Sequence, residues 1–303
     1  MTFNIQDIPL QSGRIAIVTG ANDGLGFQTA LAMSKKGIKV VMACRNLEKG
    51  DKARREIIRQ QPEAKPELMH LDLSKLSSVH AFADEYMQKH DRLDLLINNA
   101  GIMIPPYTLT ANGFENQLGV NYLAHFLLTG LLLPLLEATP GSRVVSLSSN
   151  AHKNGKIHFD DLNFKKKYSA FAAYSQSKLA CLMFAKELQR RLDKSGSKVL
   201  SAAAHPGMSD TSLFKHVPAV ITGILGPLIR LLMVQSPEDG AKPILYAALG
   251  ADIEGGDYTG PDGWQQWKGE AVKVKGSRLS DNRQVSKRLW EVSEQLTSFN
   301  YKI

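Results

Sequence analysis

Tyr174 and Lys178 bracket the run Tyr174-Ser175-Gln176-Ser177-Lys178. Positions i and i+4 share one face of a helix, so a phenol and an ammonium at this spacing project together. A free tyrosine holds its proton up to a pKa of about 10. A neighbouring ammonium favours the phenolate and brings that value down. Such a pair can act as general acid and base toward a carbonyl oxygen whose carbon receives a hydride. The spacing is common by itself, and its meaning rests on companions elsewhere in the chain.

The first companion is Thr19-Gly20-Ala21-Asn22-Asp23-Gly24-Leu25-Gly26, a G-x-x-x-G-x-G run between an apolar stretch and a helical one. Its glycines permit a tight turn and close backbone approach, while the N-terminus of the following helix faces a pyrophosphate. A dinucleotide-binding unit usually carries an acid about 20 residues further on, for the ribose 2′-hydroxyl. Here Ala43-Cys44-Arg45-Asn46 stands in that region; the expected acid is missing and a guanidinium stands beside its position. Guanidinium groups grip phosphate bidentately, so Arg45 predicts NADP(H) over NAD(H). An ordinary surface arginine would read the same way. Asp72 and Asn98-Asn99-Ala100-Gly101 each end an apolar run, where the ligand crevice of a doubly wound sheet lies. Turn chemistry alone would also favour Asn and Gly there.

The elements that must carry these residues are legible as alternating patterns. Ile15–Thr19, Val40–Ala43, Leu68–Leu71, Leu93–Ile97, Arg143–Leu147 and Val199–Ala203 read as short buried strands. Segments of helical spacing lie between them, among them 114–136 and 172–192. Strands alternating with helices imply βαβ units and a parallel sheet covered on both faces. Right-handed crossovers then predict an α/β fold: a single doubly wound, Rossmann-like domain over residues 1–303, its mostly parallel sheet flanked by helices. The apolar stretch Val217–Val234 contains Pro218, Gly223, Gly226, Pro227 and Arg230. These interruptions argue against a membrane span and for short helices over the site, a substrate lid at about 211–235. An amphipathic surface helix has a similar look, so peripheral membrane contact is left open rather than expected.

Composition narrows the partners. The net charge of +8 is dispersed except for short clusters such as Lys165-Lys166-Lys167 and Arg190-Arg191. No zinc-finger spacing or basic-aromatic motif accompanies them, which argues against nucleic acid. Two cysteines, Cys44 and Cys181, are too few for a disulfide framework and fit a reducing compartment. Residues 1–10 lack an apolar signal core, and a cytoplasmic location is expected. The histidines show no metal-ligand spacing, so no metal is predicted.

The glycine turn, Asn98–Gly101, Ser148-Ser149 and Tyr174–Lys178 occur in this order and at the expected strand and helix ends. Together they resemble the short-chain dehydrogenase/reductase family over roughly Ser12 to Gly260. The tail beyond Gly260 adds nothing to the likeness. The resemblance implies a catalytic tyrosine at Tyr174 and, at Lys178, a lysine that lowers its pKa and binds the nicotinamide ribose. It implies a serine holding the substrate oxygen at Ser149, with Ser148 as its competitor, and at Asn121 an asparagine supporting a water-linked proton relay. His205-Pro206-Gly207-Met208-Ser209-Asp210-Thr211 looks like the P-G-x-x-x-T element near the nicotinamide carboxamide, which brings Pro206, Gly207 and Thr211 to the cofactor. With Gly20, Asn22, Asp23, Gly24, Leu25, Gly26, Arg45, Asp72, Leu73, Asn99, Ala100, Gly101, Tyr174 and Lys178 they make up the expected cofactor site.

The segment between Ser149 and Tyr174, with Ala151-His152 and Gly155-Lys156-Ile157, is similar to the retinol dehydrogenase-like branch, which includes WW-domain oxidoreductase relatives. That branch implies NADP(H) and a lipophilic carbonyl or alcohol as the small-molecule substrate. Homodimers or homotetramers occur among such relatives. A protein of the same fold that only senses NADP(H) or serves as a scaffold is the alternative, as is one that lies on lipid through Val217–Val234. Such non-catalytic proteins often lose the tyrosine or lysine, and both stand here.

Overall fold

A computed structural model describes residues 3–208 and 235–303. The first strand, β1 (Ile15–Thr19), is buried along both faces, as a central strand of a parallel sheet must be. Its side chains alternate: Ala16 and Val18 enter one apolar cluster while Ile17 enters the other. After it come α1 (Gly24–Lys35), β2 (Lys39–Cys44), α2 (Leu47–Gln60), β3 (Glu67–His70), α3 (Leu76–Lys89) and β4 (Leu95–Asn98). The chain continues through α4 (Ala124–Glu137), β5 (Arg143–Leu147), α5 (Ala170–Ser195), β6 (Leu200–Ala204), α6 (Pro237–Leu249), β7 (Tyr258–Pro261), β8 (Ala271–Lys273) and α7 (Arg283–Thr297).

The strands form one sheet in the order β3-β2-β1-β4-β5-β6-β7-β8, parallel except for β8. From β1 the chain winds outward to β2 and β3, then returns to place β4 on the other side of β1. The connections leaving the C-terminal ends of β1 and β4 therefore diverge, and a crevice opens between them. Helices α1, α2 and α6 pack on one face, and α3, α4, α5 and α7 on the other.

All six strands read from the sequence are present, displaced by no more than two residues at either end. The helix expected over 114–136 is divided. A single turn at Asn116–Leu118 passes through a π-helical stretch, Gly119–Leu123, into α4. Among the described residues this composite alone is long and apolar enough to cross a membrane, yet 83% of its apolar window is buried inside the protein. It is the core helix between the sheet and α7. The apolar stretch 217–234 and nearly all of the expected lid lie outside the described residues.

Sequence patterning missed β7, β8 and α7. The strand β7 carries Gly260 and Pro261, which read as breakers, and β8 has only three residues. Helix α7 lays Leu289 and Trp290 onto α4 and α5, with Trp290 stacked on Phe184 and edge-on to Phe126. The hydroxyl of Tyr122 pairs with Ser293 at 2.7 Å, and that of Tyr301 donates to the Phe126 carbonyl at 2.5 Å.

Candidate active site

The turn after β1 is shaped by what it lacks. Gly20 has φ +67°, which favours glycine. A Cβ on Gly26 would stand 2.3 Å from the Gly20 carbonyl oxygen and 2.6 Å from Asn99 Nδ2. Asp23 is extended and caps α1, its Oδ1 accepting the Gly24 N–H at 2.7 Å. The Thr19 hydroxyl joins the two strand ends by accepting the N–H groups of Asn99 and Ala100, both at 2.9 Å. In return Asn99 Nδ2 donates to the Thr19 carbonyl at 2.7 Å, while Asn99 Oδ1 is buried without a partner. A helix N-terminus above a cradle without side chains, with a buried acceptor left over, suits the diphosphate and ribose of a dinucleotide.

A cleft of about 380 Å³ runs from this turn to the start of α5. Of the residues expected to bind cofactor, Gly20, Asn22, Asp23, Gly24, Leu25, Gly26, Arg45, Asp72, Leu73, Asn99, Ala100, Gly101, Tyr174, Lys178 and Pro206 line it. Gly207 stands next to the cleft with φ +65°, and Thr211 lies outside the described residues. Ser149 and Asn121 are not among the lining residues, whereas Ser148, the competitor of Ser149, is.

Sequence reasoning assigns no binding role to Lys49, in the branch-like stretch Glu48-Lys49-Gly50 after Arg45, yet this exposed cation lines the cleft with Arg45. The side chain of Asn46 caps α2 by accepting the Lys49 N–H at 2.9 Å, which sets both cations about the first turn of that helix. The i to i+4 spacing of Arg45 and Lys49 was the available signal. Burial alone would raise the pKa of Asp72. Hydrogen bonds from Ser74, together with the nearby charges of Arg45 and Lys75, more than offset this and hold it below the usual carboxylate value.

Ser169 caps α5 by accepting the Ala172 N–H, and the helix runs to a left-handed Gly196. One turn in, Tyr174 and Lys178 lie on the same face, both largely buried. Lys178 Nζ sits 6.0 Å from the Tyr174 ring centre and donates to the Leu147 carbonyl at 3.0 Å. The two serines differ in what they have free. Ser148 is buried and its hydroxyl is committed to the Lys178 carbonyl at 2.8 Å. The Ser149 hydroxyl accepts the Ala151 N–H at 3.2 Å and keeps its own proton available.

Asn121 sits in the π-helical stretch, a distortion often found at functional sites. Its side chain bonds both the N–H and the carbonyl of Ile102 and donates to Ser177. Asn121 Oδ1 and Lys178 Nζ flank Gly101, 3.2 and 3.3 Å from where its Cβ would be. His125, which the sequence did not single out, links the two halves of the cleft: Nε2 lies 2.9 Å from the Thr19 hydroxyl and Nδ1 3.0 Å from the Asn121 carbonyl. Burial pushes the pKa of His125 down to about 4, that of His152 to about 4 and that of His205 to about 3, so all three are neutral at neutral pH.

At the far edge, Met208 and Gln235 border residues 209–234. They are paired, Gln235 N–H to the Met208 carbonyl at 2.8 Å. Met208 is in turn held by the Trp267 carbonyl at 2.7 Å, so the loop after β7 fixes the rim of the site.

Comparison with known proteins gives a family and a fold for the chain. A family profile described as short chain dehydrogenase matches residues 14–220. The chain is 43% identical to human retinol dehydrogenase 13 over 297 residues, spanning 94% of this chain and 84% of that one. It is 39% identical to mouse polyprenol dehydrogenase over 296 residues, covering 96% and 85% of the two chains. A crystal structure of an uncharacterized protein from Mycobacterium paratuberculosis superposes with a TM-score of 0.83 at 39% identity, covering both chains fully.

Proposed function

The chain belongs to the short chain dehydrogenase family, and from that premise we propose that it interconverts a lipophilic alcohol and its carbonyl with NADP(H) in preference to NAD(H). One juxtaposition carries the reading. Tyr174 and Lys178 line the same cleft as the glycine-bordered turn after β1 and the cations Arg45 and Lys49. When bound, the nicotinamide supplies or accepts the hydride.

In this reading the first turn of α1 and the Gly20–Gly26 cradle hold the diphosphate. Arg45 and Lys49 hold the 2′-phosphate, for which NAD(H) has no counterpart. Tyr174 gives its proton to the substrate oxygen in reduction and removes it in oxidation. Lys178, oriented by the Leu147 carbonyl, binds the ribose and lies on the route that returns a proton to Tyr174, past Asn121 on the other side of Gly101. Ser149 donates its free O–H to the same substrate oxygen, a role closed to Ser148 by its bond to Lys178.

Two features support a lipophilic substrate. Residues 217–234 are mostly apolar, and the relatives above are named for retinol and polyprenol, both long-chain isoprenoid alcohols. The test is loss of NADPH absorbance with a panel of isoprenoid, fatty and sugar aldehydes, with NADH and Tyr174→Phe as controls. Turnover of the apolar aldehydes that Tyr174→Phe abolishes, with NADPH binding retained, is the expected result. Undiminished turnover in that variant would sink the assignment.

A further inference from the structure

We propose that His152 is a positioning residue for Ser149, locked in one tautomer by the C-terminal segment around Ser277. The inference rests on the reading of Ser149 given above. The imidazole is fully buried and both its nitrogens are engaged. Nε2 lies 3.1 Å from the Ser277 backbone nitrogen, whose N–H can only donate, so Nε2 carries no proton. The proton is therefore on Nδ1, which donates to the Ser149 carbonyl at 2.7 Å. The His152 backbone N–H donates to that same carbonyl at 3.0 Å. Both lone pairs of the Ser149 carbonyl are thus held by one residue, which fixes the peptide plane from which the Ser149 side chain projects.

The lock is anchored at its far end. Ser277 caps the short turn Arg278–Asp281. Lys186 of α5 pairs with Asp281 and reaches Ser280. Helix α5 thereby holds the tail, the tail sets the imidazole tautomer, and the imidazole sets the loop bearing Ser149. The same α5 carries Tyr174 and Lys178, so the two hydrogen-bonding groups for the substrate oxygen are referred to one rigid element. Tyr258 closes the arrangement from β7, its hydroxyl 3.4 Å from His152 Nδ1. A segment without recognisable motifs thus acquires a task in the chemistry.

Two side chains separate the functions of the two nitrogens. Asn at position 152 presents an N–H where Nδ1–H stands but leaves Ser277 without an acceptor. Gln presents an acceptor near the place of Nε2 but no donor toward Ser149. We expect His152→Asn to keep kcat within about threefold and His152→Gln to lose about tenfold or more, the scale of a slightly misplaced reacting group. NADPH Kd should not change in either. Equal kcat in the two variants, or losses that follow Tm rather than the donor position, would overturn the proposal. Histidine-selective 15N spectra of the wild-type protein need no substrate: Nδ1 protonated and Nε2 bare is expected, and the opposite pattern rejects the lock. Tyr174→Phe assayed alongside reports on the underlying reading, whose failure is seen there and not in the His152 pair.

Discussion

Replacing Gly26 with alanine tests the cradle directly. The added Cβ would stand 2.3 Å from the Gly20 carbonyl oxygen, 2.8 Å from the Gly20 carbonyl carbon and 2.6 Å from Asn99 Nδ2. Two of these atoms are backbone, and Asn99 is held by its bond to the Thr19 carbonyl, so none yields cheaply. Relief requires the turn after β1 and the start of α1 to move apart. Overpacking of this kind costs about 1–3 kcal/mol. Alanine returns up to about 1 kcal/mol of helix propensity, and less in a first turn. The net loss of roughly 1–2 kcal/mol corresponds to a Tm lower by about 2–3 °C for a domain of this size. Binding should suffer more. Spreading the turn removes at least one charge-assisted hydrogen bond to the diphosphate, at about 1.5–3 kcal/mol, which raises the NADPH Kd roughly 10- to 150-fold. Calorimetric titration gives the Kd and scanning fluorimetry the Tm. A Gly26→Ala protein binding NADPH within twofold of wild type would refute the close approach and the site built upon it.

Neutralising Arg45 and Lys49 together should weaken NADPH binding by roughly 10- to 100-fold, the value of lost phosphate hydrogen bonds discounted for two exposed side chains. NADH affinity should stay within about twofold, and an equal loss for both cofactors would remove the 2′-phosphate assignment. Trp290→Ala should cost about 3–5 kcal/mol, because Trp290 fills the space among Phe126, Phe184 and Tyr301. Tm should then fall by roughly 5–8 °C, whereas a change under 3 °C would deny the tail its part in the core. Acid should destabilise the fold early. His125, His152 and His205 have pKa values pushed below the ordinary histidine value, so the unfolded chain binds the extra protons. Their contribution is complete above about pH 6.5 and declines as pH falls toward 4, by at most about 1.4 kcal/mol per pH unit for each. Urea midpoints at pH 7, 6 and 5 should fall in that order, and a flat series would contradict the buried neutral imidazoles.

What could be read from the sequence was short in range. A strand buried on both faces is a run of apolar residues, and β1 (Ile15–Thr19) and β5 (Arg143–Leu147) appeared at their exact limits. The glycine turn and the spacing from Tyr174 to Lys178 are likewise local, since backbone freedom and helix periodicity act over a few residues. Arg45 could be read as a cleft residue from its position after β2, and it lines the cleft; Lys49, one helical turn on, carried a similar signal. The order of these motifs along the chain was enough to imply a doubly wound sheet and the crevice where its connections diverge.

The tertiary structure decided everything that depends on partners far along the chain. Ser148 and Ser149 are indistinguishable as neighbours, and they separate only because the carbonyl of Lys178, a residue of α5, takes the hydroxyl of the first. Asn121 lies within an apolar helical pattern, and only the π-helical stretch and the return of Ile102 and Ser177 show how its amide is used. The tail looked blank because β7, β8 and α7 are short, carry breakers or are half polar, and gain their stability from the surfaces they cover. Trp290 is just an aromatic residue in the sequence until α4 and α5 supply the apolar face that it fills. Periodicity and turn chemistry are written in neighbouring residues, whereas hydrogen-bond saturation and packing arise only when distant segments close on one another, and that is why the scaffold could be read and the allocation of its polar groups could not.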